Sequence, residues 1–359
     1  MDLDISTINK IEHFIQEGKY SDIQQFINVA IVNQIEEEIS KNPFPFINNS
    51  KRPSQLLSSN KNLLLEENGK KQKLSFEIIE GLNLDWRKNL QEITIEKLNF
   101  EPPKSELIWY FYTRFFPIKV LIHQLAKIMI KSQKRWIELG EFQEQGFEFA
   151  ERIAFKLKEV EINENIPRNK KLSTGLPTPK LELIGLHGIS KRKKEEKLHR
   201  GKTRFIEQII GKDNTKDQGF SGACFELGLL GVKYDEGLCY VSLTELGKQF
   251  ALLENPILDK EILKIPFSDS EIQFILKKIY PRFRLEAKIV HRIVDWLKQE
   301  KLTSNQLDQL FKDANRKYFM KERIATMGRL SELQIVDWKI DRQGKSHYTL
   351  NQAKISLLI

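Results

Sequence analysis

Three features of the sequence predict a mainly α protein carrying small β-hairpins. Apolar residues recur at helical spacing along most of the chain, as Ile289, Val290, Ile293, Val294 and Leu297 do. Polar caps mark helix starts, among them the capping-box pair Thr303 and Gln306 ahead of Leu307, Leu310 and Phe311. Alternation of apolar and polar residues is confined to short runs beside turn residues, such as Val336–Ile340 before Asp341–Lys345. At 359 residues the chain is too long for one ordinary core, so several units are expected.

The N-terminal unit comes first. Ile5, Ile8, Ile11, Phe14 and Ile15 share one face of a helix that ends at Gly18. Ser21 and Gln24 cap a second helix, which carries Ile23, Phe26, Ile27, Ala30, Ile31 and Ile35. The stretch Glu17–Ile31 resembles the helix–turn–helix half of ribbon-helix-helix proteins of the MetJ/Arc kind. That resemblance implies an obligate dimer built by residues 1–42 through Ile11, Phe14, Ile23, Phe26, Ile27 and Ile31, because so small a unit buries too little surface alone. In the family, paired N-terminal strands read the major groove. Here only Met1–Asp4 remains for the strand, and its two carboxylates would repel phosphate. The dimerising part is retained and the reading part is lost; DNA contact by this unit, or a helical hairpin without family relation, are the alternatives.

Residues 43–104 read as a linker with short elements, rich in Asn, Ser, Lys and Pro. A helical domain is expected over 105–165, with Pro117 starting its second helix. Its aromatic residues Trp109, Tyr110, Phe111, Tyr112, Phe115 and Phe116 read as core, with a nucleic-acid stacking platform as the minor alternative. Residues 166–202 form a basic connector that is densest at Lys191, Arg192, Lys193 and Lys194. A run of this kind is either a solvated charge cluster or an arm that tracks phosphates and adds sequence-independent affinity.

Two further segments follow. In 203–259, Phe205, Ile206, Ile209 and Ile210 make a helix ended by Gly211, and Ser221 caps a short helix over Cys224–Leu230. Val232–Ser242 then turns at Asp235–Gly237, and Leu243–Gly247 resembles the exit from the wing in winged-helix regulators of bacteria and archaea. In 268–352, Ser268 or Asp269 caps the first helix, and the stripe, the capped helix and a basic helix over Lys321–Gln334 precede a hairpin with a basic tip. The basic helix is expected to bury Ile324, Met327, Leu330 and Leu333 and to show Arg323, Thr326 and Arg329 on its other side. This order resembles a winged helix-turn-helix, a fold that places one helix in the DNA major groove. The fold class expected is therefore mainly α, with a ribbon-helix-helix-like unit, a central helical region and two winged-helix domains.

Charge separates the two winged-helix patterns. The short helix of the first holds Glu226 and no basic residue, which suits a structural or protein-binding copy. Arg323, Thr326 and Arg329 in the second are the expected base readers, since Arg is the commonest partner of guanine. Arg342 and Lys345 at the wing tip would hold phosphate or the minor groove. The net charge of +9 sits in the second half: residues 168–204 carry twelve Lys and Arg against three Glu, whereas residues 1–50 carry three Lys against eight acids. Cys224 and Cys239 fit neither a disulfide framework nor a zinc site. Walker-type, G-x-G-x-x-G, H-E-x-x-H and G-x-S-x-G motifs are missing, so no enzyme and no cofactor are expected. The most apolar run, Leu107–Ile130, is interrupted by Arg114, Lys119, His123 and Lys127, against a membrane span. The expectation is a cytoplasmic homodimer that binds double-stranded DNA as a transcription regulator. The alternative is a docking subunit of a larger defence, plasmid-maintenance or replication complex.

Overall fold

The computed structural model describes residues 85–95, 106–167, 170–177, 191–214, 219–313, 317–340 and 346–357, all within a unit spanning Ile79–Ile359. The expectations for residues 1–42, for most of 43–104, and for Arg342 and Lys345 lie outside the described residues. What is described is mostly helical, with small antiparallel sheets.

Helix α1 (Asp85–Glu92) packs its Trp86 and Leu90 into the core. Residues 106–115, expected to be helical, form no helix. Helix α2 (Phe116–Ser132) starts with Pro117 in its first turn, where a missing N–H leaves no bond unmade, and most of its residues are buried. Strand β1 (Ile137–Glu138) leads into α3 (Leu139–Asn163), whose face of Phe142, Phe149, Ile153 and Leu157 is buried. Helix α4 (Lys191–Phe205) continues through a π-helical turn, Ile206–Ile210, to Gly211. The dense part of the basic connector is therefore helical.

Beyond α4 come β2 (Lys212–Asn214), β3 (Gly219–Ser221) and the single turn α5 (Ala223–Glu226). Gly222, not Ser221, occupies the cap position of α5. Its φ of 133° brings its backbone against Gly211, where a Cβ would stand 2.4 Å from Gly211 Cα. Strands β4 (Leu230–Asp235) and β5 (Leu238–Leu243) join through Glu236 and Gly237, both at positive φ, as a tight two-residue hairpin demands. Thr244 caps α6 (Glu245–Leu252) by accepting the Gly247 N–H at 2.9 Å, and α7 (Pro256–Lys260) follows.

A capping box of Ser268 and Glu271 opens α8 (Asp269–Phe274), as the sequence indicates for Ser268. The remaining elements are α9 (Arg284–Gln299), β6 (Leu302–Thr303), α10 (Ser304–Asp313), α11 (Phe319–Glu332), β7 (Val336–Ile340) and β8 (Ser346–Leu350). The α9 stripe is buried as its spacing requires. Thr303 and Gln306 cap α10 reciprocally.

Two of the sheets repeat one arrangement. β1 pairs with β5 through Ile137 and Val241, giving the order β1-β5-β4. β6 pairs with β8 through Leu302 and Tyr348, giving the order β6-β8-β7. In each, a short strand after a helix pairs with the returning arm of the later hairpin. The segment 105–165 thus supplies a helix, a strand and a second helix to the same sheet as 203–259, and one apolar core runs from Trp86 to Leu357.

Buried charges clamp this core. Lys119 of α2 and Glu271 of α8 pair at 3.1 Å, and Lys119 also donates to the carbonyls of Phe250 and Leu253. Burial works against both charges, pulling the Lys119 pKa down and pushing the Glu271 carboxyl up. His123, held neutral by burial with its pKa near 3, faces Asp259, which also receives Arg87 and the Asn255 N–H.

Candidate nucleic-acid interface

Helix α11 is buried around more of its circumference than expected. Met327, Leu330 and Leu333 are buried as expected, but Ile324 is 56% exposed, while Arg323, Thr326 and Arg329 lie inside at 9%, 0% and 1%. The expected base readers are structural groups. Arg329 donates to the Tyr112 carbonyl at 2.6 Å and to Glu286 Oε1 at 2.6 Å, and Thr326 donates to the same carboxylate at 2.9 Å. Burial opposes the Arg329 charge, and Glu286 beside it outweighs that, holding its pKa above the usual value. Arg323 donates Nε to Asp308 at 2.6 Å and reaches Ser304 and the Tyr348 hydroxyl. A guanidinium committed in this way cannot fork onto a guanine.

The inward turn has a cause at the helix end. Glu332 accepts the N–H groups of Phe115 at 2.5 Å and Phe116 at 3.2 Å, so the last turn of α11 caps the start of α2. Burial pushes the Glu332 carboxyl up to about 7. Gly328 sits against Thr113, whose carbonyl would lie 3.1 Å from a Cβ there. The segment 106–115 therefore lies along α11 and covers the side the sequence assigned to DNA. In exchange, the Glu106 carbonyl accepts the N–H groups of Leu285 and Glu286 at the start of α9.

What α11 and its approach show to solvent is different. Lys317, Tyr318, Met320, Lys321 and Ile324 are exposed. Beside them, Trp109 is 41% and Phe111 43% exposed, so two of the six aromatics read as core are surface rings. Tyr112, Phe115 and Phe116 are core as expected. The exposed rings touch one another and half-buried Tyr110: Trp109 and Phe111 have centroids 4.6 Å apart, Tyr110 and Phe111 4.6 Å, and Tyr110 and Tyr318 5.6 Å. Lys321 stands 5.3 Å from the centroids of both Tyr110 and Tyr318, and Lys317 stands 5.5 Å from Tyr318. The sequence offered a stacking platform here only as the alternative to a core. What it did not give is the inward setting of the arginines, for which one signal was available: Glu286 falls on the same stripe as Val290, Ile293 and Leu297, and an acid on a buried stripe demands an inward cation.

The other expected contacts divide. Lys193 is exposed on α4, together with Lys197, Arg200, Lys202 and Arg204; Lys191, Arg192 and Lys194 lie on the same helix, their side chains undescribed. In the first unit, Glu226 faces inward to the Tyr112 hydroxyl at 2.8 Å, with its carboxyl pushed up by burial. Among the described residues no His, Cys, Asp and Glu side chains group to hold a metal ion, and no helix is long and apolar enough to cross a membrane. Comparison with family models, curated proteins and solved structures matched nothing.

Proposed function

We propose that this chain binds double-stranded DNA through a winged helix-turn-helix formed by α9 to β8, and acts as a transcription regulator dimerised by residues 1–42. One observation carries the reading. The succession α9, β6, α10, α11, β7 and β8, with sheet order β6-β8-β7, supports it: the order matches the connectivity of that fold, in which the third helix is the groove helix. The contacts are revised from the sequence-based ones. Arg323, Thr326 and Arg329 serve packing, while Arg342 and Lys345 remain the contacts expected of the wing. The basic face of α4 adds phosphate contacts.

The test is a mobility-shift titration of the full chain on duplex DNA at two salt concentrations. Binding at low salt is expected. Arg342→Glu with Lys345→Glu lowers the affinity and reduces the salt slope by about 0.9 for each phosphate no longer neutralised. Absence of duplex binding at low salt refutes the proposal. The second reading, a docking subunit of a larger assembly, is favoured by the apolar Met320 and Ile324 on the outward face of α11. It takes over if duplex binding is absent.

A further inference from the structure

The outward face beside α11 has rings where a base reader would have hydrogen-bonding groups. Among the described residues ten large hydrophobic side chains are exposed, and five of them, Trp109, Phe111, Tyr318, Met320 and Ile324, lie on α11, its approach or the segment packed along it. A concentration of this kind marks an interaction surface rather than scattered exposure. The rings are also held in place. Trp109 meets the ring of Tyr112 edge-on at 5.4 Å, and Tyr112 is 1% exposed and anchored to Glu226. A platform fixed in this way loses little conformational freedom when something stacks on it.

We infer that Trp109, Tyr110, Phe111 and Tyr318, with Lys317 and Lys321, form a stacking surface for the unpaired bases of single-stranded DNA. The inference deepens the proposed DNA binding and rests on it for the identity of the polymer. Lysine decides between a nucleic acid and a protein partner. Cores of protein interfaces are poor in lysine, whereas surfaces that bind single strands alternate rings for base faces with cations for phosphates. Here Lys317 and Lys321 stand directly over the rings. Of the acids nearest in sequence on α10 and α11, Glu322 is buried and Asp308 holds Arg323, while Asp313 and, on the neighbouring segment, Glu106 remain exposed. Burial of Arg323 and Arg329 decides between single and double strands. With both inside, α11 itself offers no guanidinium to a base-pair edge, whereas the rings beside it suit base faces, which a closed duplex hides.

The test measures fluorescence anisotropy of labelled oligo(dT) and of a duplex of equal length with the full-length chain, its Trp109→Ala/Phe111→Ala variant and its Tyr318→Ala variant. These side chains are surface-exposed, and unchanged thermal midpoints verify folding; Trp109→Phe, which keeps a ring, retains oligo(dT) binding. For each alanine variant the oligo(dT) dissociation constant rises about tenfold or more, while duplex affinity changes by less than about twofold. Unchanged oligo(dT) binding in the variants overturns the inference. So does duplex binding by the parent without oligo(dT) binding, which leaves the proposed function standing. Equal loss on both polymers also overturns it, because the rings then serve the duplex. If neither polymer binds at low salt, both readings fail together.

Discussion

Replacing Arg329 with Met separates a packing role from a reading role. The substitution roughly conserves volume but leaves Glu286, 1% exposed, without its cation, and the Tyr112 carbonyl without its donor. A carboxylate stranded in a dry interior is costly, and about 4 kcal/mol is expected, in line with the loss of one partner from a buried pair. Adding Glu286→Gln removes the buried charge and keeps an acceptor for the Thr326 hydroxyl, so about 2 kcal/mol should return. Urea titrations of the three proteins at pH 7, followed by tryptophan fluorescence, measure all of this. A single variant within about 1 kcal/mol of the parent, or a double variant no more stable than the single one, refutes the reasoning.

Glu332 gives a pH dependence whose sign follows from its burial. Burial raises its folded-state pKa to about 7, so the folded protein holds the proton more tightly than the unfolded chain. Its contribution is fully present below the ordinary carboxyl pKa and is lost as the pH rises through about 7, a change of about 3 kcal/mol. Glu332→Gln should erase that slope; urea titrations at pH 4.5, 6 and 8 should find the variant gaining on the parent with rising pH, and a constant difference would contradict it. Gly247→Ala should destabilise by about 3 kcal/mol, because a Cβ there would stand 1.9 Å from the Leu229 carbonyl and force α6 off the hairpin. A melting temperature equal to the parent's would count against that contact.

Local signals made many elements legible in the sequence. The α9 stripe, the caps at Ser268 and Thr303, the start of α2 at Pro117 and the hairpin turning at Glu236–Gly237 rest on neighbours within a few residues. The setting of α11 was not legible in the same way. Its period permits two rotations, one burying Ile324 and one burying Arg323 and Arg329. The choice depends on Glu286, forty-three residues away from Arg329, and on the Tyr112 carbonyl, 217 away. The rule that charged residues face water failed because each charge had a partner waiting inside. The sharing of one sheet by 105–165 and 203–259 was hidden for a related reason: β1 is two residues long, too short for a period to register. Trp109 and Phe111 alternate with Tyr110 and Tyr112 in a segment without regular structure, so helical spacing misassigned them.

The two helix starts that are capped from a distance have a mechanical consequence. Glu332, from the second hairpin unit, closes the beginning of α2 in the first, and the Glu106 carbonyl, just ahead of the first, closes the beginning of α9 in the second. Swinging either unit away would expose unpaired amide groups at both ends of the joint simultaneously. The joint therefore behaves as a brace with two bolts, and the β4–β5 and β7–β8 hairpins keep a fixed separation. A polymer that lay across both hairpins would meet a spacing set by this joint rather than by the hairpins themselves.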